Sequence, residues 1–360
     1  MTYPFTRRAA LHALGFAGLA GAFGIATERA FAAGRAPVAR GLFDPSDICR
    51  VADTAPGAAP GALRKVKLTW NANSVCTIAI PIAQQKGFFA RHGLEVELIN
   101  FGGSTDALLE AIATGKADAG VGMALRWLKP LEQGFDVKLT GGIHGGCIRL
   151  LASKQSGITS LAGFRGKTIA VGDMAGAEKN FFSIAFGKAG IDPGREVNWR
   201  QFPPDLLSEA VKRGEADGSA FLDPLGYLIR ERDNLTEIYS NLHGDFANRA
   251  CCIIGIRGSL VRDERPVAAA LTRALLEAGL WGYHNVAEAA AIYAPNAPGR
   301  ASNAVIADIL SSHAHNHQPL HAAFKQEIAA YAEELKTIQV FRPSTSAARY
   351  ADRVVADVLV

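Results

Sequence analysis

The sequence predicts an α/β protein of two similar doubly wound lobes joined by a two-segment hinge, with a helical C-terminal region. Three observations predict it. One segment occurs twice: residues 106–122 read DALLEAIATGKADAGVG, and 99 positions later residues 205–221 read DLLSEAVKRGEADGSAF. Each copy is an amphipathic helix closed by glycine (Gly115, Gly214), with a strand before it and a small-residue strand after it. Such strand–helix–strand units have parallel strands and a right-handed crossover. Finally, the chain passes between the halves twice, near residues 145–152 and again near 251–260, which sets two hinge segments side by side. At 360 residues and 49% hydrophobic content it can bury two domain-sized cores. Between such lobes, at the carboxyl ends of parallel strands, lies a crevice suited to a small ligand.

In chain order, the first stretch reads as a leader. Arg7-Arg8 precede a weakly apolar run, residues 13–25, and the small-x-small site Ala30-Phe31-Ala32. The paired arginines and the Gly/Ala-rich core predict twin-arginine export, cleavage near Ala32 and a periplasmic destination. Thirteen residues are too few for a membrane anchor. Residues 33–62, rich in Ala, Gly and Pro, read as a flexible lead-in.

Lobe 1 is expected over residues 63–146 and 253–360, and lobe 2 over 147–252. Lobe 1 opens with a strand at 63–70, a helix at 78–91, a strand at 94–100, the first repeat helix and a strand at 117–123. A helix near 125–133 and a strand at 136–143 complete it. Lobe 2 carries a strand at 168–172, a helix at 177–190, a strand at 197–202, the second repeat helix and strands at 218–223 and 235–241. After residue 260 the apolar spacing is helical in five further segments.

Removing residues 1–32 takes away Arg7, Arg8, Arg29 and Glu28, a change of −2, so the formal +4 falls to about +2. That near-neutral balance argues against nucleic acid as a partner. The five cysteines, Cys49, Cys76, Cys147, Cys251 and Cys252, include no CxxC pair.

Residues 83–122 (AQQKGFFARHGLEVELINFGGSTDALLEAIATGKADAGVG), 160–173 (SLAGFRGKTIAVGD) and 210–224 (AVKRGEADGSAFLDP) resemble the nitrate/sulfonate/taurine-type substrate-binding proteins of ABC importers. The likeness spans roughly residues 63–290. It implies a type II periplasmic binding protein, a monomer that closes on a small ligand and delivers it to a membrane permease, without catalysis or a cofactor. The same superfamily includes pyrimidine-precursor synthases of thiamine biosynthesis, cytosolic enzymes with a cysteine-rich motif. That alternative, or a metal-binding relative, is opposed here by the leader and by the single adjacent pair Cys251-Cys252. The chain also departs from the family at Leu222-Asp223-Pro224, where an aromatic residue often precedes the acid, which implies a ligand shape unlike that of sulfonate binders.

The candidate ligand contacts fall at strand ends. Trp70, Asn71 and Asn73 end the first strand and offer an apolar wall and amide groups, or else a core cap and an Asn-rich turn. Gly103, Ser104 and Thr105 open the first repeat helix, where backbone N–H groups favour an anion and the hydroxyls equally serve as N-caps. Asp173 and Met174 occupy the matching place in lobe 2, although an acidic cap there would compete with an anion. Met123 and Met174 supply further wall.

His144 and Cys147 flank the first hinge segment. They can contact a ligand or a soft metal, and with Cys251 and Cys252 on the neighbouring segment they permit a disulfide, a copper- or zinc-like site, or small buried fillers. The reading adopted is fillers with a ligand contact and no metal. Asp223 is either an N-cap before Pro224 or a contact for an amine or hydroxyl. The tract His313-Ala314-His315-Asn316-His317, with His321 beyond, resembles a metal-binding tract, or else is a solvated loop, the reading adopted because it lies far in topology from the crevice. No GxSxG, HExxH, Walker loop or dinucleotide fingerprint is present, so no catalytic residue is expected.

Overall fold

A computed structural model describes residues 63–101 and 105–360. The expected leader and lead-in, Cys49, Gly103 and Ser104 lie outside the described residues. Ten strands are described: β1 (Arg64–Trp70), β2 (Leu94–Asn100), β3 (Ala119–Met123), β4 (Val137–Gly145), β5 (Ile148–Ser153), β6 (Thr168–Val171), β7 (Asn198–Gln201), β8 (Gly218–Leu222), β9 (Leu235–Ser240) and β10 (Ala250–Arg257). They form two five-stranded sheets of matching order, β2-β1-β3-β10-β4 and β7-β6-β8-β5-β9. In the first, β1 runs parallel to β2 and β3, and β10 lies antiparallel between β3 and β4. The second repeats this, with β5 antiparallel between β8 and β9. Each sheet's antiparallel strand is thus the one delivered from the other sheet.

The repeat helices differ in length. The first spans Thr105–Ala113, whereas the second, Leu207–Lys212, is preceded by a 3-10 turn over Pro204–Leu206. The single helix expected at 78–91 is broken at Gly87, whose φ of 74° separates Ala79–Gln85 from Phe88–Arg91. Strand β3 is buried throughout. A Cβ at its Gly122 would meet the Trp127 ring at 2.1 Å, so the absence of a side chain lets that fully buried indole lie flat on the sheet.

C-terminal helices cover the first sheet. Tyr350 Oη donates to the Leu128 carbonyl (2.8 Å) and the Ala356 N–H to that of Leu139 (2.9 Å). The segment before helix His321–Thr337 lies along the edge strand β4: the Gly145 N–H donates to the Ala314 carbonyl (2.9 Å) and the Gly142 N–H to that of Pro319 (3.1 Å). An edge strand's free N–H groups are thereby satisfied. Among the described residues no helix is long and apolar enough to cross a membrane.

The two crossings pass back to back. Gly146 has φ 40°, and a Cβ there would meet the Asn241 carbonyl oxygen at 2.7 Å, so only glycine lets the segments approach this closely. Asn241 Oδ1 accepts from the N–H groups of both Cys147 and Ile148, each at 2.7 Å, tying the exit from β9 to the entry into β5. Asn241→Ala would leave two buried donors without a partner, at about 1–3 kcal/mol each. We expect a stability loss of about 3 kcal/mol, read as a fall in the urea midpoint at unchanged m-value.

Candidate functional site

The carboxyl edge of the first sheet gathers sulfur and imidazole. Strand β10 begins where β3 and β4 end, and Cys252 is in register with Met123 on one side and His144 on the other. Cys76 arrives from the 3-10 turn Val75–Thr77 that follows β1. Thr77 Oγ1 fixes this turn by hydrogen-bonding the carbonyls of Asn71 and Ser74, each at 2.9 Å. The Sγ atoms of Cys76 and Cys252 and a ring nitrogen of His144 lie within 4.8 Å of one another, all buried. Beside them the Cys147 and Cys251 Sγ atoms are 3.3 Å apart. All four cysteines among the described residues are thiols, not disulfides.

His144 has a defined tautomer. Its Nδ1 lies 2.7 Å from the Gly145 carbonyl, which can only accept, so Nδ1 carries a proton in either charge state and Nε2 presents a lone pair in the neutral form. That Nε2 has no hydrogen-bond partner, and the residue is 1% exposed. His315 packs against it with ring centroids 5.2 Å apart, and His313 stacks at 6.1 Å. His313 Nδ1 and His315 Nε2 are likewise buried without partners. Burial pushes the His144 imidazole down, but Cys76 outweighs it and raises the group to about 9. The neighbouring Cys147 and Cys252 thiols hold Cys76 well below the usual thiol range. Burial, with the charge of its neighbours, pushes His315 well down.

The histidine tract is therefore no solvated loop. It is drawn in because it covers the edge of β4. His313 Nε2 reaches Asp223 Oδ2 (2.8 Å), and Asp223 also receives Arg149 Nε and Nη2, each at 2.8 Å. Asp223 Oδ1 accepts from the Tyr227 N–H (3.0 Å) as well, the helix-capping role that Asp before Pro predicts. Burial pushes the Asp223 carboxyl up, yet His313 and Arg149 outweigh it and hold the acid below its ordinary range. The Arg149 guanidinium is correspondingly raised against its own burial.

Across the seam between the sheets, Arg126 pairs with Asp106 and, at 2.9 Å, with Asp173 of the opposite lobe. Asn180 Nδ2 donates to the Leu125 carbonyl (2.9 Å). A cavity of about 370 Å³ opens at this mouth, lined in part by Arg126, Lys129, Met174 and Lys179. Deeper, beside Met123, Asn241, Cys251 and Tyr331, only about 10 Å³ remains.

The residues singled out from sequence separate into groups. Met123, His144 and Cys147 lie at or beside the buried cluster, whereas Asp173 and Met174 lie at the mouth. Trp70 is half-buried at the end of β1. Asn71 Oδ1 accepts from the Asn73 N–H (3.0 Å), closing a turn, and the Asn73 side chain is exposed. Thr105 begins the first repeat helix. Sequence reasoning missed Cys76, His313, His315 and Arg126. For Cys76 a signal was present, since it sits in the turn after β1 that already marked the ligand edge.

Residues 76–281 match the family described as NMT1/THI5 like. Comparison with curated protein sequences finds no match. Among solved structures, the chain resembles the ligand-binding component of an ABC-type import system from Staphylococcus aureus with zinc bound (TM-score 0.66, 15% identity, 82% of this chain and 97% of that one). It also resembles the periplasmic aliphatic sulphonate-binding protein SsuA from Escherichia coli (0.66, 15%, 80% and 91%). The periplasmic nitrate-binding protein NrtA from Synechocystis PCC 6803 is similar too (0.67, 15%, 82% and 87%). At these identities the likeness establishes the fold: a bilobal periplasmic-binding-protein architecture, as the resemblance implied.

Glu178, in the first turn of helix Ala177–Lys188, gives the seam a pH dependence. Burial, aided by Asp173, raises its carboxyl from 4.5 to about 7. The folded protein therefore binds a proton that the unfolded chain releases, and stability falls as pH rises between these two values. Glu178→Gln should raise the melting temperature at about pH 8, where the charged form costs on the order of 3 kcal/mol, and leave it unchanged near pH 5. Thermal unfolding across this range checks it; an equal gain at both values would place the cause elsewhere.

Proposed function

The chain belongs to the NMT1/THI5-like family, and on that premise we propose that it is the solute-binding component of an ABC-type importer. It captures a small ligand between its lobes and presents the closed form to a membrane permease. The observation that carries this reading is the pair of sheets of identical strand order joined by two crossings alone, the arrangement that permits closure about a hinge. The twin-arginine leader read at residues 1–32 supports export to the periplasm, and the protein acts there as a monomer, with lobe 1 at 63–146 and 253–360 and lobe 2 at 147–252. It binds rather than transforms its ligand.

The relatives named above bind a sulphonate and nitrate, both small anions. In this chain Arg126, Lys129 and Lys179 at the mouth cavity support an anionic or polar ligand. Trp70, Asn71, Asn73, Gly103, Ser104, Thr105, Asp173 and Met174 are the proposed contacts at the rim, and Met123, His144, Cys147 and Asp223 those toward the floor.

A thermal-shift screen of the mature chain against nitrate, sulphonates, aromatic acids and pyrimidines tests the reading, paired with small-angle scattering. A ligand at a hundredfold excess over its Kd should stabilise the protein by about 2.7 kcal/mol. It should also reduce the radius of gyration, and Arg126→Ala should weaken an anionic ligand. If no solute class changes either observable, the capture reading fails.

A further inference from the structure

We propose that the buried cluster at the crevice floor is a binding site for one thiophilic metal ion of filled d shell, zinc(II) or copper(I). Cys76, His144 and Cys252 hold it, and Cys147 supplies a fourth donor. The donors converge from three distant segments, and their ligating atoms already lie within 4.8 Å of one another. Cys147 adjoins both Cys76 and Cys252.

His144 carries the argument. Its Nδ1–H is held by the Gly145 carbonyl, the arrangement by which a metal-ligating imidazole is oriented from behind. Its Nε2 is left buried and without a hydrogen bond, and in the neutral form it presents a lone pair. Leaving such a group unsatisfied is costly, and a cation among the thiols removes that cost. Buried cysteines alone are ordinary small fillers, but fillers do not account for an orphaned, pre-oriented imidazole among them.

The donor set selects the ion. Two or three thiols with an imidazole suit zinc or copper(I), whereas calcium and magnesium require oxygen ligands. Two thiolates and a neutral imidazole around zinc(II), or one thiolate around copper(I), make a neutral unit fit for burial. On binding, the cysteines and His144 Nε2 give up to solvent whatever ligating-atom protons they hold, so metal uptake releases protons. The site stands independently of the importer reading.

The test uses the mature chain, reduced and metal-free, titrated with zinc(II) or copper(I) against a chromophoric chelator, with proton release followed in weak buffer. One equivalent of either ion should bind with a rise in melting temperature. Cys76→Ser/Cys252→Ser should weaken binding by more than about 100-fold, since even the outer partners of a metal ligand account for 10–100-fold. Lys325→Ala, on the exposed face of helix His321–Thr337 and outside the donor set, should bind as the parent does. Circular dichroism of the metal-free variants shows whether they remain folded; if the double variant does not fold, His144→Gln gives the same test. The proposal is overturned if the folded parent binds no stoichiometric metal, if the double variant retains it, or if the thiols are isolated fully oxidised. An organic anion that stabilises the protein when neither metal does would overturn the metal site and leave the importer reading intact.

Discussion

An antiparallel strand starts where its parallel neighbours end, and this constraint organises the molecule. Strand β10 enters the first sheet from the opposite lobe and runs between β3 and β4. Its first residues must therefore lie at the carboxyl edge of the parallel strands, which is where a crevice opens. That is why Cys252 stands in line with Met123 and His144, and why Cys76, after β1, meets it. Strand β5 obeys the same rule in the second sheet and brings Cys147 to the same place. The two crossings can share this space only because Gly146 carries no side chain and Asn241 bonds both segments.

The charges at the two ends of the crevice differ in weight. At the mouth, Arg126 meets an Asp173 that is nearly half exposed, and exposed pairs contribute about 0–1 kcal/mol. At the floor, Arg149, Asp223 and His313 have side chains at most 3% exposed. Removing one partner from such a buried group costs about 3–5 kcal/mol. Arg149 lies in β5 and Asp223 directly follows β8 of the second sheet, while His313 comes from the segment bound along β4 of the first. Losing one partner is thus costlier at the floor than at the mouth.

Much of this was legible in the sequence. A duplicated helix–strand unit survives as pattern because both copies solve the same packing problem, and from it follow two sheets and two crossings. The adjacency of Cys147 to Cys251 followed from topology alone. The role of residues 313–317 did not, since their burial depends on covering an edge strand some 170 positions earlier, a pairing that leaves no local periodicity. Cys76 was overlooked because the turn that holds it offers Trp70 and two asparagines as more obvious ligand contacts. Gly87 interrupts a helix that apolar spacing alone would have continued.

Where the donors sit decides what an ion on the floor can do. A ligand shifts an equilibrium between open and closed lobes only by its difference in affinity for the two. Cys76, His144 and Cys252 all belong to the edge of the first sheet. An ion held by these three alone finds the same donors whether the lobes are apart or together, and it drives no closure however tightly it binds. Only Cys147, whose carbonyl accepts from the Asp223 N–H at the end of β8, moves with the second lobe. The proposed ion is therefore a resident piece of the floor, with the Cys147 bond as its single link to lobe position. Closure is left to a solute that touches both lobes nearer the mouth, where Arg126 and Asp173 already face each other across the seam.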